Sequence, residues 1–152
     1  MNPTGEINID PGEAHVSCNS MPQTVKPLYE ISRGELFDRL TPCATELVTL
    51  LDAAPPLYFY TSLKTWRAII PRILDGIPPY DPMYFNCNNI VPMARNRAAI
   101  LFRLNTMGEA YFACCAHMMN AFYTEQGLYF LEPQTGEMWK VGGFKATKIL
   151  MC

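Results

Sequence analysis

The sequence predicts an α+β domain, with N-terminal helices packed on a C-terminal antiparallel sheet. Three observations predict it. Between Ser32 and Phe102, apolar residues recur at three- and four-residue spacing, in segments opened by capping residues and closed by prolines. From Glu109 onward, short runs rich in aromatic and β-branched residues are separated by turns at Glu125-Gln126-Gly127, Gln134-Thr135-Gly136 and Gly142-Gly143. Helices first and strands afterwards is the order of an α+β domain rather than of alternating βαβ units. The 152 residues suit a single core.

Residues 1–26 are rich in Pro, Gly, Asn and Ser without periodicity and read as a flexible arm, leaving 27–152 as one domain. Ser32 and Glu35 fit a capping box, with Leu36, Phe37 and Leu40 on one face. Thr41-Pro42 can start a second helix, in which Leu47, Leu50 and Leu51 share a face until Pro55-Pro56 stops it. Leu57–Tyr60 reads as extended. Thr61-Ser62 caps a helix that buries Leu63, Trp66, Ile69 and Ile70, and that Pro71 bends or ends. Asn88 or Asn89 can cap a helix whose stripe is Ala94, Ala98, Leu101 and Phe102, which places Cys87 at its start, with Pro92 tolerable in the first turn. Five strands follow, over 110–115, 118–123, 127–131, 138–141 and 144–150.

Composition excludes several function classes. The formal net charge of −2 gives no general attraction for nucleic acid or acidic membranes, and no basic run is present. The first fifteen residues are polar and acidic, unlike a targeting signal, and no apolar run reaches the roughly 18 residues of a membrane helix. The six cysteines lack zinc spacing, and Cys114 and Cys115 would point to opposite faces of a strand. The thiols therefore read as reduced and the protein as cytoplasmic.

Thiol chemistry needs a thiolate, a base and a group that orients the base. The N–H dipoles at a helix start favour an anion, and Cys87 has that placement. His117 lies on a following strand, and Glu132 or Gln134 on the next. If these strands pair across the 125–126 turn, residues whose numbers sum to about 251 face one another, so either residue can reach the imidazole. A plain structural role is the competing reading: Cys87 as a core thiol, His117 as a hydrogen-bonded core residue and Glu132 as a turn acid. Asp81, Glu109 and Glu125 read as solvated charges.

Two blocks carry a family resemblance. One is Tyr60–Trp66, Ile77-Pro78, Tyr80 and Phe85-Asn86-Cys87-Asn88-Asn89. The other is His117-Met118-Met119-Asn120 with Glu132-Pro133-Gln134-Thr135-Gly136. Together they resemble the papain-like cysteine peptidase domain at the C-terminal end of certain fungal agglutinins and its small phage and prokaryotic relatives. The resemblance implies a papain-like fold and a hydrolase or amide acyl transferase acting on a peptide or protein. Cys87 would be its nucleophile, His117 its general base and Glu132 the residue orienting it, with Asn120, Gln134 and Asn88 in support. The agglutinin domain is calcium-activated. Asn86, Asn88 and Asn89 replace acids there, and the lost charges weaken a hard-cation site, so no cofactor is expected and these three are the calcium candidates. The alternative is an inactive binding protein on the same scaffold, encoded by a phage or mobile element and engaging a host protein. A third reading is a ligand pocket lined by Tyr80, Tyr84 and Tyr123.

Overall fold

A computed structural model describes residues 23, 25–50 and 56–151, and most of the expected arm lies outside them. The chain enters through a strand, β1 (Leu28–Ser32), followed by α1 (Arg33–Leu40), a 3₁₀ turn at Thr41–Cys43 and β2 (Ala44–Leu50). Next come β3 (Leu57–Thr61), α2 (Leu63–Leu74) and α3 (Cys87–Phe102). The C-terminal part is β4 (Met107–Phe112), β5 (His117–Thr124), β6 (Gly127–Leu131), β7 (Met138–Lys140) and β8 (Ala146–Met151). β1 and β3 form an antiparallel pair, and the others form a six-stranded sheet in the order β2-β8-β4-β5-β6-β7.

This corrects the expected fold class. The sheet is mixed, because β2 runs parallel to β8, and strands both precede and separate the helices. The described residues are mostly β, with three short helices among them, and not a helical N-terminal half laid on an antiparallel sheet. The error arose at 44–50. Leu47 and Leu50 fall at helical spacing, but Thr45, Val48 and Thr49 are β-branched and favour a pleated surface. The ladder Val48↔Ile149, Thr49↔Leu150 and Leu50↔Met151 decides for strand. In that strand Leu50 is buried, while Leu47 is 50% exposed.

Several local signals act as their chemistry dictates. Ser32 Oγ accepts from the Glu35 N–H at 3.2 Å, and Ser62 Oγ accepts from the Thr65 N–H at 3.1 Å, each satisfying a donor at a helix start. Pro71 does not end α2, which continues to Leu74. Pro71 is exposed, so the missing N–H costs one bond on the solvent side, while Ile69, Ile70 and Ile73 keep the buried stripe intact. Asn86, rather than Asn88 or Asn89, is the cap of α3.

The sheet separates two apolar cores by strict alternation. Met107, Phe122, Tyr129 and Leu131 pack with Trp66, Ile70, Ala94 and Ala98 of α2 and α3. Ala110, Phe112, Ala121, Tyr123 and Phe130 pack with Leu36 and Leu40 of α1, Ile31 and Tyr58. A polar tie joins α3 to the sheet across the first core. Asn120 is fully buried, and its Nδ2 donates to the carbonyls of Val91 on α3 at 2.9 Å and Gly108 on β4 at 3.2 Å. Asn120→Ala should cost about 1–3 kcal/mol, because two buried carbonyls lose their donor. A chemical denaturation midpoint unchanged from wild type would refute that role. Among the described residues no helix is long and apolar enough to cross a membrane.

Candidate functional site

A cleft of about 740 Å³ opens beside α2. Its walls are Arg67, Ile70, Pro71 and Leu74 of α2, the segment 77–80, Ile90 in the first turn of α3, and residues 133–136 with Met138. The walls come from elements far apart in sequence, held by the first core. Proline supplies four of the lining residues: Pro71, Pro78, Pro79 and Pro133.

The turn on one side of the cleft is organised by Glu132. Its Oε2 lies 2.6 Å from His117 Nε2, and its Oε1 accepts from the Gln134 N–H at 3.1 Å. Its main chain closes the same turn, with Glu132 N–H donating to the Glu137 carbonyl at 2.9 Å and Gly136 N–H donating to the Glu132 carbonyl at 2.8 Å. Gly136 has φ +77°, a left-handed conformation that a side chain would strain. The two oxygens of Glu132 thus serve separate partners, and together they fix the backbone that presents Gln134 and Thr135 to the cleft. The β5–β6 ladder pairs Asn120 with Leu131 and Ala121 with Phe130, and Glu132 reaches His117 diagonally just past its end.

The other candidates are placed as follows. Cys87 is the first residue of α3 and is half-buried. Among the described residues, no hydrogen bond joins its sulfur to His117 or Glu132. Two of the three candidate calcium ligands are engaged with the backbone: Asn86 Oδ1 accepts from the Asn88 N–H at 3.0 Å, and Asn89 Oδ1 accepts from the Asn86 N–H at 3.2 Å. Asn120 braces α3 against β4 through its bonds to Val91 and Gly108. The tyrosine pocket does not assemble. Tyr80 lines the cleft and Tyr84 is 84% exposed, whereas Tyr123 is buried in the second core, edge-on to Tyr60.

The three acids expected to be solvated all have partners. Glu125 Oε2 accepts from the Leu63 N–H at 2.9 Å and so caps α2 from the far side of the chain. Asp81 Oδ1 accepts from the Met83 and Tyr84 N–H groups, and Glu109 pairs with Arg95 at 2.7 Å. A local Asp-x-x signal could have revealed the Asp81 turn. No local signal could have revealed the other two.

Comparison with known proteins shows what shares this geometry. No protein-family model matches the chain, and no curated protein matches it. Among solved structures, it is similar to PSL1a in its complex with E64, with a TM-score of 0.62 and 19% identity over 80% of this chain and 50% of that one. It is also similar to Polyporus squamosus lectin bound to a human-type influenza-binding epitope, Neu5Aca2-6Galb1-4GlcNAc, with a TM-score of 0.56 and 17% identity over 80% of this chain and 49% of that one. Over 80% of its length the chain shares the fold of about half of each of these structures. At this identity the fold is what is shared, and the chain spans about half the length of these neighbours. The resemblance to a papain-like cysteine peptidase domain is therefore corrected. One of the matching structures carries the name of a lectin, and on that finding the expected hydrolase with a Cys87-His117-Glu132 triad is not carried forward.

Proposed function

We propose that the chain is a binding module and that its ligand, a short glycan, lies in the cleft between α2, residues 77–80 and the 132–137 turn. The make-up of the cleft walls carries this reading. A volume of about 740 Å³ falls within the roughly 300–1,000 Å³ of small-ligand sites. The prolines give apolar walls that lose little conformational freedom when a ligand is held against them. Tyr80 is 47% exposed and offers an aromatic face for the apolar side of a sugar ring. The Gln134 amide can both donate to and accept from sugar hydroxyls, and the Arg67 guanidinium suits a carboxylate such as that of a sialic acid. The ligand named with the lectin neighbour supplies the sugar class, carried over to this chain as a proposal.

No bond-making at Cys87 is needed for this role. His117 and Glu132 act as positioning residues, because their contact and the Glu132–Gln134 bond hold the turn that carries Gln134. Asn120, Asn86 and Asn89 serve the mounting of α3.

Isothermal titration with Neu5Aca2-6Galb1-4GlcNAc tests the proposal. Wild type should bind with Kd of about 1 mM or tighter. Tyr80→Ala should weaken binding about 10-fold or more, roughly the loss of one stacking contact of about 1.4 kcal/mol. Gln134→Ala should weaken it by a smaller factor, and Cys87→Ser should leave it unchanged. Absence of binding at millimolar glycan, or equal binding by wild type and Tyr80→Ala, would overturn the assignment. Competition for the cleft by a peptide, with no glycan binding, would replace the sugar with a protein partner.

A further inference from the structure

The β4–β5 connection, Ala113-Cys114-Cys115-Ala116, takes no part in the cleft. It is a tight turn, not the strand that would set its two thiols on opposite faces. Both cysteines are exposed and free, and their sulfurs stand 3.7 Å apart, with the Cys114 thiol donating to Cys115 Sγ. The turn is pinned at several points. The Ala113 N–H donates to Thr147 Oγ1 at 2.8 Å, the Cys115 N–H to the Phe112 carbonyl at 3.3 Å, and Cys115 Sγ lies 3.7 Å from that same carbonyl. Ala116 sits at φ 49°, a left-handed conformation that costs a non-glycine residue about 1–2 kcal/mol. Flanking alanines leave the sulfurs unshielded.

We infer that Cys114 and Cys115 form a dithiol site that chelates one soft, thiophilic metal or metalloid centre. The geometry favours this over a disulfide. Two sulfurs bound at about 2.3 Å to a tetrahedral centre stand about 3.8 Å apart, which matches the separation here. A disulfide between neighbours fits poorly, because adjacent Cα atoms are about 3.8 Å apart and ordinary disulfides need about 4.4–6.8 Å. Such a bond would be strained and readily reduced, which leaves the dithiol as the resting form. The Cys115 thiol is also pushed up from its ordinary value, first by desolvation and then by the hydrogen bond and charge of Cys114, against a smaller opposing effect of the His117 backbone.

Phenylarsine oxide is a suitable probe. Two S–H bonds and the As–O bond are exchanged for two As–S bonds and one water, with arsenic remaining trivalent and no oxidant required. Intact-mass spectrometry of the reduced full chain should show one adduct, formed with loss of one water. The adduct should survive excess glutathione and be removed by 2,3-dimercaptopropanol. Peptide mapping should place it on residues 113–116. In Cys114→Ser or Cys115→Ser, affinity should fall at least about 100-fold, because the second sulfur no longer binds intramolecularly. Cys43→Ser and Cys87→Ser should retain the adduct. Stripping of the wild-type adduct by glutathione, its mapping to another cysteine, or full retention in either single variant at the turn would overturn the inference.

Discussion

Trp66→Ala should destabilise the fold by about 3–5 kcal/mol, the range for removing a large buried aromatic. Trp66 is fully buried at the junction of α2 with the sheet. Its ring centroid lies 5.0 Å from that of Phe122, and its indole N–H donates to the Tyr123 carbonyl at 2.9 Å. Alanine leaves a void that the flanking strands cannot close without breaking their ladder, and it leaves that carbonyl without its donor. Against a total stability of about 5–15 kcal/mol, this is enough to unfold a marginal domain. Guanidinium unfolding should show a lower midpoint with an unchanged slope, since the surface exposed on unfolding hardly differs. Trp66→Phe separates the two contributions. It restores most of the packing but not the donor, so its residual deficit should be about 1–3 kcal/mol. A shift below 1 kcal/mol for the alanine variant would mean that α2 is not anchored through this residue.

Much of the fold was legible because its signals are local. The caps at Ser32 and Ser62 need only the three residues that follow them, and the β5–β6 register needs only the short turn between the strands. What escaped was non-local. β2 owes its identity to β8, whose residues lie about a hundred positions further on, and within 44–50 helical spacing competes with β-branched composition until that partner is known. Glu125 reads as a surface acid in its hairpin turn, because the donor that it caps, Leu63 N–H, belongs to another segment.

The candidate site divides along the same line. The His117–Glu132 approach follows from hairpin geometry, but its chemical meaning does not. The same carboxylate also accepts from the Gln134 N–H, a contact that the hairpin register alone does not predict. The cleft itself was hidden because its walls are prolines and aliphatic side chains, which in sequence read as helix breakers and core. The Asn86-Cys87-Asn88-Asn89 run shows the reverse. It reads as altered catalytic chemistry, whereas two of its asparagines are engaged in capping α3.

Gly108→Ala should be as damaging as the tryptophan replacement, for a different reason. A Cβ at position 108 would lie 2.2 Å from the Leu150 carbonyl oxygen and 2.5 Å from Met151 Sδ. The sulfur sits on a flexible side chain, but the carbonyl belongs to β8, so the backbone has to move. The adjacent ladder, Glu109↔Leu150, Ala110↔Ile149 and Tyr111↔Lys148, cannot keep its register through such a shift. Among the described residues β8 is the one strand that β2 pairs with, so β2 would be carried away with it. The Gly108 carbonyl also receives the Asn120 amide, so the brace between β4 and α3 is disturbed by the same methyl group. Overpacking usually costs about 1–3 kcal/mol, and contact with an immobile backbone oxygen places this case at or above the top of that range. Hydrogen exchange should report it selectively, with amides of β2 and β8 losing protection while β5 and β6 keep theirs. Gly34→Ala is the matched control: its Cβ meets nothing within 4 Å, and it lies within α1, where alanine is favoured by about 1 kcal/mol. Equal protection of all six strands in Gly108→Ala would show that β8 can yield without unpairing, and the close approach of β4 to β8 would then no longer explain the glycine.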